Sequence, residues 1–335
     1  MQSVQLATEG FKTLDRMARR AVVGWMGAML VAVFSAAPSA AQKTLNIVST
    51  TGMIADAVRQ VGGDRVAVTS LMGPGVDPHT YRQTRSDIAA MTKADAVFWH
   101  GLYLEAQLEE FLHNLAKRKP VVALAETLPK DKLLGDDQNP GRYDPHVWMN
   151  PRLWKGVVEA VRDQLIKLDA AGEALFKANA EKHLADVDAL ATYSDKAFAS
   201  VPETARVLIT AHDAFNYFGK AYNYEVLGIQ GISTESEAGL KQIETLVKTI
   251  VTVKIKAIFI ESSVSDRNVR ALIEGAAAKG HKVVIGGELF SDAMGAPGTY
   301  EGTYIGMIDH NATVITRALG GEAPAKGLNN RLAGT

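Results

Sequence analysis

The chain contains no cysteine. That excludes disulfides, thiolate metal ligands and a lipid anchor attached through a thioether. Charge of one sign is lacking in excess: 36 Lys and Arg stand against 37 Asp and Glu, for a formal net charge of −1. A nucleic-acid partner would require a concentrated basic face, so no nucleic acid is expected. Long apolar runs are also missing, with one exception. Arg19 and Arg20 precede an apolar run from Ala21 to Phe34, and small residues follow. This is the three-part pattern of a secretory signal peptide, with Ser39 and Ala41 placed for cleavage after Ala41. The run is shorter than the roughly 20 residues that span a bilayer. Residues 1–41 are therefore expected to be a signal peptide, and the product a soluble protein secreted into a bacterial periplasm.

The remainder is long enough for two domains of ordinary size. Short β-branched runs at 44–49, 66–72, 94–100 and 120–124 read as buried strands, separated by helix-like stretches. The scheme repeats at 206–211, 224–229, 256–262 and 282–287. Such alternation predicts βαβ units and mainly parallel sheets. The expected fold is α/β: two lobes, each with a mainly parallel four-stranded sheet. Between the two sets of strands some fifty residues carry no strand signal. Pro151 suits a first helical turn. Gly172 can separate two helices, and Leu175, Leu184, Val187 and Leu190 fall at helical intervals in the second. The expected organisation is an N-terminal lobe over 42–172, one linking helix over 173–200, about 40 Å long at 1.5 Å per residue, and a C-terminal lobe over 201–335. A single helical connection predicts a stiff hinge. The stretch 130–143, "KDKLLGDDQNPGRY", reads as a polar surface loop and holds no histidine.

In open parallel sheets, ligands gather beyond the carboxyl ends of strands. Three of the eight histidines follow or flank such ends: His79 in "VDPHTY", His146 in "YDPHVWMNP" and His212 in "LITAHDAF". His113 and His183 read as solvated helix positions, His281 as part of a surface turn, and His310 as a packed or capping residue. His100 ends the strand "AVFWH" but is not expected to touch a ligand directly. A single histidine at a strand end is usually structural; three in equivalent places shift the balance. Imidazoles with a carboxylate are the usual donors for a divalent transition metal. "VVIGGELFSDAMG" offers Glu288 and Asp292, and Asp292, in the loop past the strand, is the better candidate. Each lobe then supplies two ligands. The proline before His79 and before His146 stiffens the approach. Asp77 and Asp144 either cap these turns or accept a hydrogen bond from the second imidazole nitrogen.

With these residues in view, the chain from about Leu45 to Leu319 resembles the metal-binding periplasmic components of zinc/manganese ABC importers. The matching stretches are "DPHTY", "DPHVWMNP", "ITAHDAFNYFGKAY", "GISTESEAG", "IFIESSVSDRNV" and "GGELFSDAMG" followed by "GTYIGM". The resemblance implies two α/β lobes on one long helix, and the ligands His79, His146, His212 and Asp292, in the branch with three histidines and one aspartate. Two departures stand out: the loop at 130–142 lacks the histidine-rich tract of many zinc-dedicated members, and His100 replaces a common asparagine. The first tilts the expected cargo toward Mn2+, although the ligand set suits Mn2+ or Zn2+.

The function so implied is capture of a divalent metal ion between the lobes and its delivery to membrane ABC permease subunits, by a protein expected to be a monomer and not an enzyme. The rival is an exported zinc-dependent hydrolase, with Glu288 or Glu261 as general base. Four protein ligands would close the water position that a catalytic zinc keeps open, and no HExxH motif is present. An adhesin or surface-interaction protein has no positive signal in the sequence.

Overall fold

A computed structural model describes residues 44–333 apart from position 138; the leader read at 1–41 lies outside the described residues. The first four strands are β1 (Leu45–Ser49), β2 (Val66–Ser70), β3 (Ala96–Trp99) and β4 (Val121–Ala123). They form one parallel sheet in the order β2-β1-β3-β4. The helices between them are α1 (Gly52–Gly62), α2 (Arg85–Lys93) and α3 (Glu109–Ala116). Their starts are set by local chemistry. The Thr51 hydroxyl accepts the Ile54 N–H at α1, and Thr84 forms a capping box with Asp87 at α2, each satisfying N–H groups that a helix end leaves open.

Two helices fill the stretch without strands: α4 (Pro151–Leu168) and α5 (Glu173–Ala199). Pro151 occupies the first turn of α4, and the Asn150 side chain accepts from Arg152 and Leu153 N–H. The 27 residues of α5 give a rod about 40 Å long. It packs against α1, α4 and α9 (Tyr304–Ala318). Its buried stripe is Phe176, Ala180, His183, Val187, Leu190 and Ala191. Each fully buried Val or Leu in it contributes roughly 1.5–3 kcal/mol. One sequence expectation is corrected here: His183, read as solvated, lies on the buried side of the helix, while Leu175 lies on the exposed one. The phase of the helix explains both, since residue 183 shares a face with 187 and 190 while 175 does not.

The second half supplies β5 (Val207–Thr210), β6 (Glu225–Gly228), β7 (Ala257–Glu261) and β8 (Val284–Leu289), with helices α6 (Asn216–Tyr222), α7 (Leu240–Val253) and α8 (Arg267–Ala278). These strands pair in parallel as β5–β6 and β7–β8. β5 lies alongside β7, but the ladder there is not closed, so the expected four strands stand as two pairs. The main core draws on both halves, from Ile47 and Phe98 through Trp148, Trp154 and Leu190 to Phe259 and Met307. Trp154 of α4 stacks on Tyr304 of α9 at 5.1 Å.

Candidate metal centre

Each of the four sequence-predicted residues stands on a loop that one of these elements aims inward. His79 follows β2 through a Gly73-Pro74-Gly75 turn, in which Gly75 has φ +70°, a left-handed value that glycine adopts without strain. His146 directly follows Pro145 and immediately precedes a single 3-10 turn (Val147–Met149) that leads into α4. His212 lies two residues beyond β5, and the Thr210 hydroxyl donates to its carbonyl at 2.8 Å. Asp292 lies three residues beyond β8. Asn311 of α9 brackets the backbone just before it, accepting the Phe290 N–H at 2.9 Å and donating to the Phe290 carbonyl at 2.7 Å.

These loops bring His79, His146, His212 and Asp292 together, with one donor atom from each lying within 4.8 Å of the others. His79 Nε2 and His146 Nε2 are 3.4 Å apart. Asp292 Oδ1 is 3.4 Å from His146 Nε2, while Oδ2 is 3.1 Å from His212 Nε2 and 3.7 Å from His79 Nε2. Donors bound about 2.1 Å from a tetrahedral ion stand about 3.4 Å from one another, so the spacing is that of a coordination shell. All four side chains are buried, Asp292 at 2 % exposure. Neither Asp292 oxygen nor His212 Nε2 has a hydrogen-bond partner. Such atoms cost about 1–3 kcal/mol each when left unsatisfied, a cost that a cation among the lone pairs offsets.

Carboxylates behind the ring set its orientation. Asp144 Oδ1 accepts both the His146 backbone N–H at 2.9 Å and Nδ1–H at 2.7 Å. Glu261, at the end of β7, does the same for His212 with two oxygens: Oε1 accepts the backbone N–H at 2.9 Å and Oε2 accepts Nδ1–H at 2.5 Å. Holding the proton on Nδ1 turns the Nε2 lone pair toward the centre. Asp77 takes the other role considered for it. It caps the turn, accepting the His79 backbone N–H and the Thr80 and Thr234 hydroxyls.

The same contacts govern protonation. Burial pulls His146 down, but Asp144 and Asp292 outweigh it and raise its pKa to about 9. His212 is likewise raised by Asp292 and Glu261 against its burial. His79, where burial dominates, falls to about 3. Burial pushes Asp292 up, yet the facing His212 and His146 hold it well below the ordinary carboxylate range.

The other histidines stay outside this group. His100 is buried behind it, its Nε2 2.7 Å from the Pro145 carbonyl and its ring edge-on to Trp148 at 4.9 Å, so it backs the His146 loop. His113 is exposed, with an edge contact to Trp99 and Glu109 Oε1 3.8 Å from its Nε2. His281 contacts the Ile255 carbonyl, and His310 contacts the Glu288 carbonyl while packing on Phe290. Glu261 is the functional residue that sequence reasoning undervalued; its one signal was a glutamate closing an apolar strand. Glu261 is committed to His212 and Glu288 is exposed, so neither stands as a general base for the hydrolase reading.

The chain matches the family model described as "Zinc-uptake complex component A periplasmic" over residues 47–318. It is 44% identical over 303 residues to the manganese-binding lipoprotein MntA of Bacillus subtilis, covering 88% of this chain and 99% of that protein. To the zinc-binding protein TroA of Treponema pallidum it is 43% identical over 286 residues, 85% of this chain and 92% of that one. The solved structure of the periplasmic zinc-binding protein TroA from Treponema pallidum superposes with a TM-score of 0.81, covering 82% of this chain and 99% of that chain. A family match across most of the chain, relatives of this identity covered nearly end to end, and a shared fold lead to one conclusion: the chain belongs to the zinc-uptake complex component A family, the metal-binding solute-binding proteins of zinc and manganese ABC importers.

Proposed function

We propose that His79, His146, His212 and Asp292 capture one Mn2+ or Zn2+ ion as cargo, and that the protein hands it to membrane ABC permease subunits from the periplasm. The observation that carries this reading is the ring of donors at coordination spacing whose buried Asp292 oxygens and His212 Nε2 have no hydrogen-bond partner. Both Asp292 oxygens face the ring, so three nitrogens and two oxygens are available. Four of these donors suit tetrahedral Zn2+, and all five suit the larger coordination number of Mn2+. The lobes are taken as 42–172 and 201–335, joined by the helix 173–200, with two ligands from each, so that release follows from their separation. Binding, not catalysis, is the activity, carried out by a secreted monomer after removal of residues 1–41.

The test is uptake of radiolabelled manganese and zinc by cells carrying the cognate permease and lacking their own copy of this protein. Wild-type protein restores uptake and Asp292→Ala does not. Equal uptake with both would overturn the reading.

A further inference from the structure

Asp292 is a short side chain on a loop, and its usefulness as a ligand depends on where that loop is held. Asn311 fixes Phe290 from one side. From the other side comes Trp148, two residues past His146. Its indole Nε1–H donates to the Ser291 carbonyl at 2.8 Å, across 143 residues of sequence. This bond runs directly from the His146 loop to the Asp292 loop. Trp148 is itself fully buried and immobilised: its ring meets His100 edge-on at 4.9 Å and His146 at 5.2 Å, and its carbonyl accepts the Tyr304 hydroxyl at 2.8 Å. Ser291 is tied further by its hydroxyl, 3.0 Å from that of Ser263.

We infer that Trp148 is a positioning residue for the ion. Its indole N–H locks the backbone beside Asp292 to the loop that carries His146, so that the two ligands keep a fixed separation. The inference rests on the metal-capture reading and adds the group that keeps the Asp292 loop from drifting away from His146. The bond touches no donor atom, so its loss should appear in how long the ion is retained more than in how fast it arrives. Partners behind a metal ligand are typically worth about 10–100-fold in affinity, and one neutral hydrogen bond belongs at the lower end.

The experiment is metal affinity and dissociation rate for the full secreted chain, using Mn2+ alone and then Zn2+ alone with a chelating indicator. Trp148→Phe keeps an aromatic ring against His100 and His146 and removes the N–H. A second variant carries benzothienylalanine at position 148, an isosteric ring without the donor, and covers the case in which the phenylalanine chain fails to fold. The expected result is affinity about 10-fold weaker, mostly through faster dissociation. In an Asp292→Ala background the same change should have less than about a twofold effect, because the ligand that it positions is gone. A merely structural tryptophan would weaken both backgrounds alike, and that outcome overturns the inference. So does wild-type affinity in the donor-free variant. A wild-type chain that takes up no ion overturns the function and this inference together; a wild-type chain that binds beside an unaffected variant overturns the inference alone.

Discussion

At His146 and again at His212, one carboxylate accepts both the backbone N–H and the Nδ1–H of the same residue. The arrangement fixes the tautomer and the ring plane at once, so it bears on affinity without adding a ligand. Asp144→Asn and Glu261→Gln should each weaken metal binding about 10–100-fold, measured by competitive titration; unchanged affinity in both would show that the rings orient themselves. Protonation gives a second residue-scale expectation. The facing carboxylates raise His146 to about 9 and raise His212 as well, so protons compete with the ion for both rings. Binding therefore tightens as pH rises through the neutral range and weakens as it falls, with protons released as the ion binds. Calorimetry in buffers of different ionisation enthalpy counts them, and a pH-independent affinity with no proton release would contradict the assignment. The four candidate ligands were legible as a group because each stands just past a strand or on a proline-stiffened turn. Glu261 was not, because its partner lies 49 residues away and only the side-by-side packing of β5 and β7 brings them together. His183 was misread for a simpler reason: the adjacent Glu181 and Lys182 are exposed, while His183 itself turns to the buried face.

The elements behave as scaffolds for loops, and α9 shows how a helix start controls a ligand. Thr303 caps α9, its hydroxyl accepting the Gly306 N–H at 3.1 Å, and about two turns further on, Asn311 holds Phe290. The cap is packed so tightly that a β-carbon on Gly306 would stand 1.8 Å from the Tyr300 carbonyl oxygen. Gly306→Ala should therefore destabilise the fold by about 1–3 kcal/mol, read as a lower melting temperature, and should weaken ion retention by loosening Asn311. A variant as stable as wild type would show that the turn can relax. Strand and helix positions were legible, since short apolar runs and 3.6-residue stripes are local signals. Pairing was not: nothing local distinguishes one four-stranded sheet from the pairs β5–β6 and β7–β8.

Across the whole molecule, a core shared by residues of both halves and a helix of 27 residues packed on α1, α4 and α9 favour small motions over wide opening. Separation of His79 and His146 from His212 and Asp292 by even a few ångströms would dismantle the coordination shell, so a stiff frame is compatible with release. The central claim is that these four side chains form one site for one ion. Its most direct test is the metal stoichiometry and affinity of the protein, purified without chelator, beside His212→Ala. The account predicts one tightly held Mn2+ or Zn2+ per wild-type chain and its loss from the variant. No stoichiometric ion in the wild type, or equal binding by the two proteins, would contradict it.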